Sequence, residues 1–88
     1  MDQRFTDSLA NAVHSRRTTL GLTQRDLADM AGVSERFVRF VEQGKPSIQL
    51  DSLIAVLDTL GLELRITTRT SRAAHAQAGA GRAEGTSS

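Results

Sequence analysis

Six basic side chains, Arg16, Arg17, Arg25, Arg36, Arg39 and Lys45, fall between residues 16 and 45, while Asp51, Asp58 and Glu63 come after them. Gathered on one face of a small domain, such cations would attract a polyanion even though the net charge is only +1. Spread around the domain they would be ordinary solvated charges, and composition alone does not choose between the two. Other chemistry has little material to work with. There are no cysteines, which removes disulfides and thiolate metal sites. His14 and His75 lie far apart and read as solvated or half-buried rather than as metal ligands. No nucleophile, base and orienting group come together, and Gly79 and Gly81 belong to a low-complexity run without a preceding strand. An enzyme is therefore the least expected class, and no cofactor or metal is expected.

The elements that would position these side chains follow from periodicity. With 88 residues and 39% hydrophobic content, there is room for one small domain. No apolar run approaches a membrane span, and MDQRFTDS lacks the apolar core of a signal peptide, so a cytoplasmic location is expected. Residues 1–6 read as a frayed end, with Phe5 a hydrophobic staple and Thr6 or Asp7 the cap of a first helix. Leu9, Ala10, Val13, Arg17 and Leu20 recur at three- and four-residue steps until Gly21 ends that helix. Arg17 is the odd member, because an arginine on an apolar stripe must snorkel outward or meet a carboxylate.

The stretch TQRDLADMAGVSERFVRFVEQG, residues 23–44, is the centre of the chain. Thr23 with Asp26 three residues later predicts a helix start, and Leu27, Ala28 and Ala31 give it a buried face. Gly32 is placed to stop it in a left-handed turn. Val33 re-enters the core, Ser34 is a second N-cap, and Val38 and Val41 carry a second buried stripe to Gly44. Two short helices joined by a glycine turn are the sequence form of a helix-turn-helix. Beyond them, Lys45-Pro46-Ser47 reads as a loop. A fourth helix follows on Leu50, Leu53, Ile54, Leu57 and Leu60, closed by Gly61. Residues 62–68 alternate apolar and polar side chains, which predicts a half-buried strand whose inward positions are Leu62, Leu64 and Ile66. Residues 69–88 contain no large apolar side chain and should stay disordered in the free protein. Arg69, Arg72 and Arg82 there either touch DNA or a partner non-specifically or belong to a solubilising tail.

The words LGLTQ, LADMAGVS and VEQGK resemble the lambda-repressor-like, or Xre-type, helix-turn-helix family from about residue 7 to residue 62. The resemblance implies a mainly all-α fold of four to five helices. Its organisation here would be a DNA-binding domain over 7–61, a dimerisation strand over 62–68 and a tail over 69–88. It also implies an ion pair between Arg17 and Glu42, joining the first helix to the recognition helix. Carried onto this chain, Ser34, Glu35 and Arg36 would meet the major groove first, with Arg39 one turn on. Arg36 would fork onto guanine O6 and N7, and Glu35 would accept from cytosine N4. Phe37 and Phe40 depart from the smaller or polar residues more usual there. Phe37 is expected to pack inward, whereas Phe40 either packs or meets a thymine methyl. Gln24, Gln43, Lys45 and the N–H groups near Ser47 would hold phosphates.

An unpartnered apolar strand is an association site, so residues 62–68 are expected to pair with a second copy and close a two-fold homodimer on a pseudo-palindromic operator. The alternative is pairing with the N-terminal residues or an irregular course along the fourth helix. The block GKPSIQLDSLIAVLDTLGLELRI resembles HipB-type antitoxins in particular, which implies autoregulation of an operon and a HipA-type kinase toxin as partner. Two other readings are a stand-alone Xre-type regulator without a toxin, phage-derived or not, and a dimerisation module that never meets DNA.

Overall fold

The computed structural model describes residues 3–68 and 72–73. Within residues 3–68 four helices follow one another: α1 over Gln3–Thr19, α2 over Gln24–Ala31, α3 over Glu35–Glu42 and α4 over Leu50–Leu60. Both α1 and α2 pack against α3, and α4 lies against α1 and α2. Leu9 and Val13 from α1, Leu27 and Ala28 from α2, Val38 and Val41 from α3, and Leu53, Val56, Leu57 and Leu60 from α4 form one buried cluster. Each of the short helices contributes only two buried residues, so their stability is tertiary in origin.

Local chemistry defines the two short helices. Thr23 Oγ1 accepts from the Asp26 N–H at 2.9 Å, and Asp26 Oδ2 accepts from the Thr23 N–H at 3.0 Å, a reciprocal capping box. The Thr23 N–H, and after it the Thr23 hydroxyl, hold the exposed Asp26 carboxyl below its ordinary pKa. Gly32 closes α2 at φ 75°, which turns the chain so that the Val33 N–H reaches back to the Ala28 carbonyl at 3.0 Å. Ser34 then caps α3 by accepting from the Phe37 N–H at 3.0 Å. Gly44 follows α3 with φ 71°, and a Cβ there would sit 3.1 Å from Asp7 Oδ1 and 3.6 Å from the Thr6 carbonyl. The loop can approach α1 this closely because the position carries no side chain.

Several expectations need correction. The first helix begins at Gln3, inside the stretch expected to fray, and is not capped by Thr6 or Asp7. Thr6 is buried within the helix, where its hydroxyl donates to the Gln3 carbonyl at 2.9 Å, a bond that satisfies it without ending anything. Phe5 consequently lies in the first turn, 37% exposed, rather than stapling from outside it. On α4 the inward face is Leu53, Val56, Leu57 and Leu60, while Leu50 and Ile54 are exposed. Both stripes satisfy a 3.6-residue period, and packing against α1 and α2 selects the one containing Val56.

Leu20 also differs, lying past the end of α1 and exposed. The described residues contain no strand. Residues 62–68 leave α4 through a Leu62 N–H bond to the Leu57 carbonyl at 2.8 Å. Leu62 packs on the core, Leu64 is 38% exposed and Ile66 is 96% exposed. The expected tail lies outside the described residues apart from the exposed, helical Arg72 and Ala73, so Arg69, Arg82 and His75 are not placed. No helix among the described residues is long and apolar enough to cross a membrane.

Replacing a fully buried leucine leaves a cavity as well as losing burial. Leu27→Ala should therefore lower unfolding free energy by about 2–5 kcal/mol. Leu50→Ala, on the outward side of α4, should change it by no more than about 0.5 kcal/mol. Urea denaturation of the two variants measures both, and equal losses would show that α4 faces the core as the longer stripe suggests.

Candidate nucleic-acid interface

Successive residues of a helix are rotated by about 100°, and this sorts α3 into two faces. Val38 and Val41 point into the core, Phe37 is half-buried against it, and Glu42 turns toward α1 and α2. Glu35, Arg36, Arg39 and Phe40 point outward, and the exposed Gln43 just past the helix continues that face. Phe40 is 36% exposed, so an aromatic edge borders the outer face while Phe37 serves the core.

The polar groups of that face are not equivalent. Arg39 Nη2 donates to Glu35 Oε2 at 3.3 Å, an exposed pair one turn apart. Arg36 and Lys45 are exposed and have no partner among the described residues, and the same holds for Arg25 on α2. The Ser34 hydroxyl oxygen is occupied by the cap of α3, which leaves its proton free to donate. Ser47 turns the following loop with φ 63°, an uncommon conformation for a residue with a side chain. At the start of α2, the capping box takes the N–H groups of Thr23 and Asp26, and those of Gln24 and Arg25 have no acceptor among the described residues.

Behind the outer face lies a polar junction built on one carboxylate. Glu42 Oε2 accepts from Arg17 Nε at 2.6 Å, and Oε1 accepts from Arg17 Nη2 at 3.1 Å. Oε1 also receives Gln24 Nε2 at 3.2 Å and lies 3.1 Å from His14 Nδ1. The Arg17 and Glu42 side chains are only 12% and 6% exposed. Arg17 further donates through Nη1 to the Leu22 carbonyl at 2.8 Å, so its charge and its hydrogen-bonding capacity are both used. His14 Nδ1 is also 3.2 Å from Arg17 Nη2, and a bond to the carboxylate requires the proton on Nδ1.

Burial pushes the Glu42 carboxyl up. The hydrogen bonds from Arg17, His14 and Gln24, together with the Arg17 charge, outweigh that and hold it below its ordinary value of 4.5. In return the hydrogen bond to Glu42 raises Arg17 against the opposing effect of its own burial, so the arginine stays charged.

The structure thus brings Arg17 to Glu42 and gathers Glu35, Arg36, Arg39, Phe40 and Gln43 on one face. Gln24, expected to hold a phosphate, has one amide hydrogen engaged by Glu42 and a second one left over. His14 was expected to be solvated or half-buried. It is mostly exposed but touches Glu42, and its three-residue spacing from Arg17 was the signal that the two share a face. A second link was also missed: Arg16 Nε donates to the Leu60 carbonyl at 2.8 Å and so caps the end of α4 from α1.

The sequence profile of the helix-turn-helix family matches residues 13–66, more than half of the chain. This chain belongs to the helix-turn-helix family. It is also similar to an "Uncharacterized HTH-type transcriptional regulator y4mF" of Sinorhizobium fredii, 42% identical over 50 residues. That alignment covers 57% of the chain and 66% of the relative, a little under two thirds of its length. In helix-turn-helix terms, α2 is the first motif helix, Gly32 the turn and α3 the recognition helix.

Removing one member of a buried ion pair strands the other. Arg17→Met and Glu42→Leu are each expected to cost roughly 3 kcal/mol, and the double variant less than the two costs added. The pH dependence has a definite sign. A carboxyl whose folded pKa is depressed contributes fully above its ordinary value of 4.5 and loses that contribution as pH falls through the folded value. The stability difference between wild type and Glu42→Gln should therefore narrow on acidification below that point, and urea denaturation across the acid range reads it.

Proposed function

We propose that this protein is a sequence-specific, duplex-DNA-binding transcriptional regulator that acts as a homodimeric repressor in the cytoplasm. The observation that carries the reading is the outer face of α3, where Arg36 has no partner among the described residues and stands beside Arg39, Glu35 and the exposed edge of Phe40. A recognition helix needs such a face, since base edges in the major groove are read by forked donors and by apolar contacts to the thymine methyl. In this reading Arg36 addresses guanine O6 and N7, Phe40 a thymine methyl, and Ser34 a base or the sugar edge beside it. Gln24 and the two free N–H groups at the start of α2 bind one phosphate. Gln43, Lys45 and the loop around Ser47 bind another, contacts that position the helix without carrying sequence information.

Dimer formation is supported by Leu64 and Ile66, which are exposed on the segment that follows α4 and has no strand partner among the described residues. Pairing that segment with its copy would satisfy its backbone and cover the two side chains. A single small domain also buries too little surface for tight specific binding, which a two-fold dimer on two half-sites remedies. A finer reading, in which the regulator is the antitoxin of a HipA-type kinase toxin, rests on the resemblance of residues 44–66 to HipB-type proteins. Co-purification of a kinase from the native host decides between it and a stand-alone Xre-type regulator.

The defining experiment measures binding to the DNA upstream of the protein's own coding sequence and to an unrelated duplex, at two salt concentrations. Preference for the upstream fragment, with affinity falling as salt rises, is the expected result; equal, weak binding to both would remove the repressor reading. Arg36→Ala should cost about 1–3 kcal/mol on the preferred site and little on the unrelated one. Leu64→Lys with Ile66→Glu should sediment as a monomer, and persistence of the dimer would place the interface elsewhere.

A further inference from the structure

We infer that Glu35 is a positioning residue for Arg39: its carboxylate aims that guanidinium across the outer face of α3, and it does not itself read a base. The inference rests on the duplex-binding reading above and names how the recognition face discriminates. Glu35 Oε2 accepts from Arg39 Nη2 at 3.3 Å, and the two side chains are 44% and 47% exposed. Both are about half exposed, and this contact is the one polar bond that either side chain makes among the described residues. Arg36, between them in sequence and on the same face, has no such partner among the described residues. One arginine of the pair is held and the other is free.

The difference has chemical consequences. An unpaired carboxylate at a DNA surface repels phosphates unless it finds a base amino group, but one already accepting from Arg39 has its charge locally offset. A guanidinium carries five N–H donors, so committing one edge to Glu35 leaves the opposite edge available for the O6 and N7 acceptors of guanine. The exposed pair adds little to fold stability. Its effect is on the bound state, because a side chain already restrained loses less freedom when it docks. The same carboxylate also disfavours Arg39 reaching out to arbitrary phosphates, which lowers sequence-independent binding and widens the gap between right and wrong sites.

The test uses the full chain, a duplex selected by the wild-type protein from a randomised pool, and a shuffled duplex of the same composition. Glu35→Ala should weaken binding to the selected duplex by about 3- to 10-fold and leave binding to the shuffled duplex unchanged or stronger. In an Arg39→Ala background the same substitution should have no further effect on the selected duplex. Glu35→Gln, which keeps an acceptor oxygen, should restore part of the loss, and thermal unfolding of all variants should match the wild type. Equal losses with and without Arg39, or a changed preference at a cytosine that persists in Arg39→Ala, would assign Glu35 a base of its own and overturn the inference. If the wild-type protein selects no duplex over the shuffled one, the DNA-binding reading fails and this inference falls with it. Selection accompanied by additive variants overturns this inference alone.

Discussion

The Glu42 carboxylate is the constraint on which the arrangement of the first three helices depends. It sits at the end of α3, almost fully shielded, and draws side chains from α1 and α2 onto its two oxygens. Apolar packing between α1, α2 and α3 is non-directional and would tolerate small rotations of α3 about its own axis. A charge-assisted fork from Arg17 at 2.6 and 3.1 Å does not, because its geometry is met in one orientation. The direction in which Arg36 and its neighbours face is thereby tied to a bond at the C-terminal end of the helix.

The remaining positions follow from devices that act over a few residues. The capping box at Thr23 starts α2, the left-handed Gly32 turns the chain, and the Ser34 cap starts α3 directly after it. Helices this short do not persist alone, so each boundary matters in proportion. At the far end of α3, Gly44 lets the loop lie against Thr6 and Asp7, and Arg16 ties α1 to the last carbonyl of α4. The helix that presents the outer face is therefore held at both termini and along its inner side, while its outer side remains unencumbered.

What was legible in the sequence divides along the same line. The caps of α2 and α3 and the glycine turn between them were legible because their chemistry involves residues three or four apart. The pair of Arg17 and Glu42 spans 25 residues, and no local periodicity links them; only the resemblance put them together. The start of α1 was misplaced because a threonine hydroxyl can bond inside a helix as readily as in front of one, and Thr6 does the former. The rotation of α4 was misread because Leu50 and Ile54 are as apolar as Val56, and the choice between stripes is made by α1 and α2 rather than by α4 itself. Gln24 and His14 escaped notice at Glu42 because the carboxylate that gathers them is remote in the chain. For residues 62–68 the alternation describes side-chain preference, whereas a strand also requires a neighbour, which a single chain does not supply.

Segregation of α3 into an inner and an outer side bears on how such a protein diversifies. Val38, Val41 and Glu42 answer to the fold, while the side chains of Glu35, Arg36, Arg39, Phe40 and Gln43 lie outside the buried cluster. If the outer side reads DNA as proposed, substitutions at the second set would be buffered from folding, so such a scaffold could exchange one target sequence for another without passing through unfolded intermediates. Eight residues of helix would then answer to two separate requirements, folding and target choice, divided among different side chains of one element.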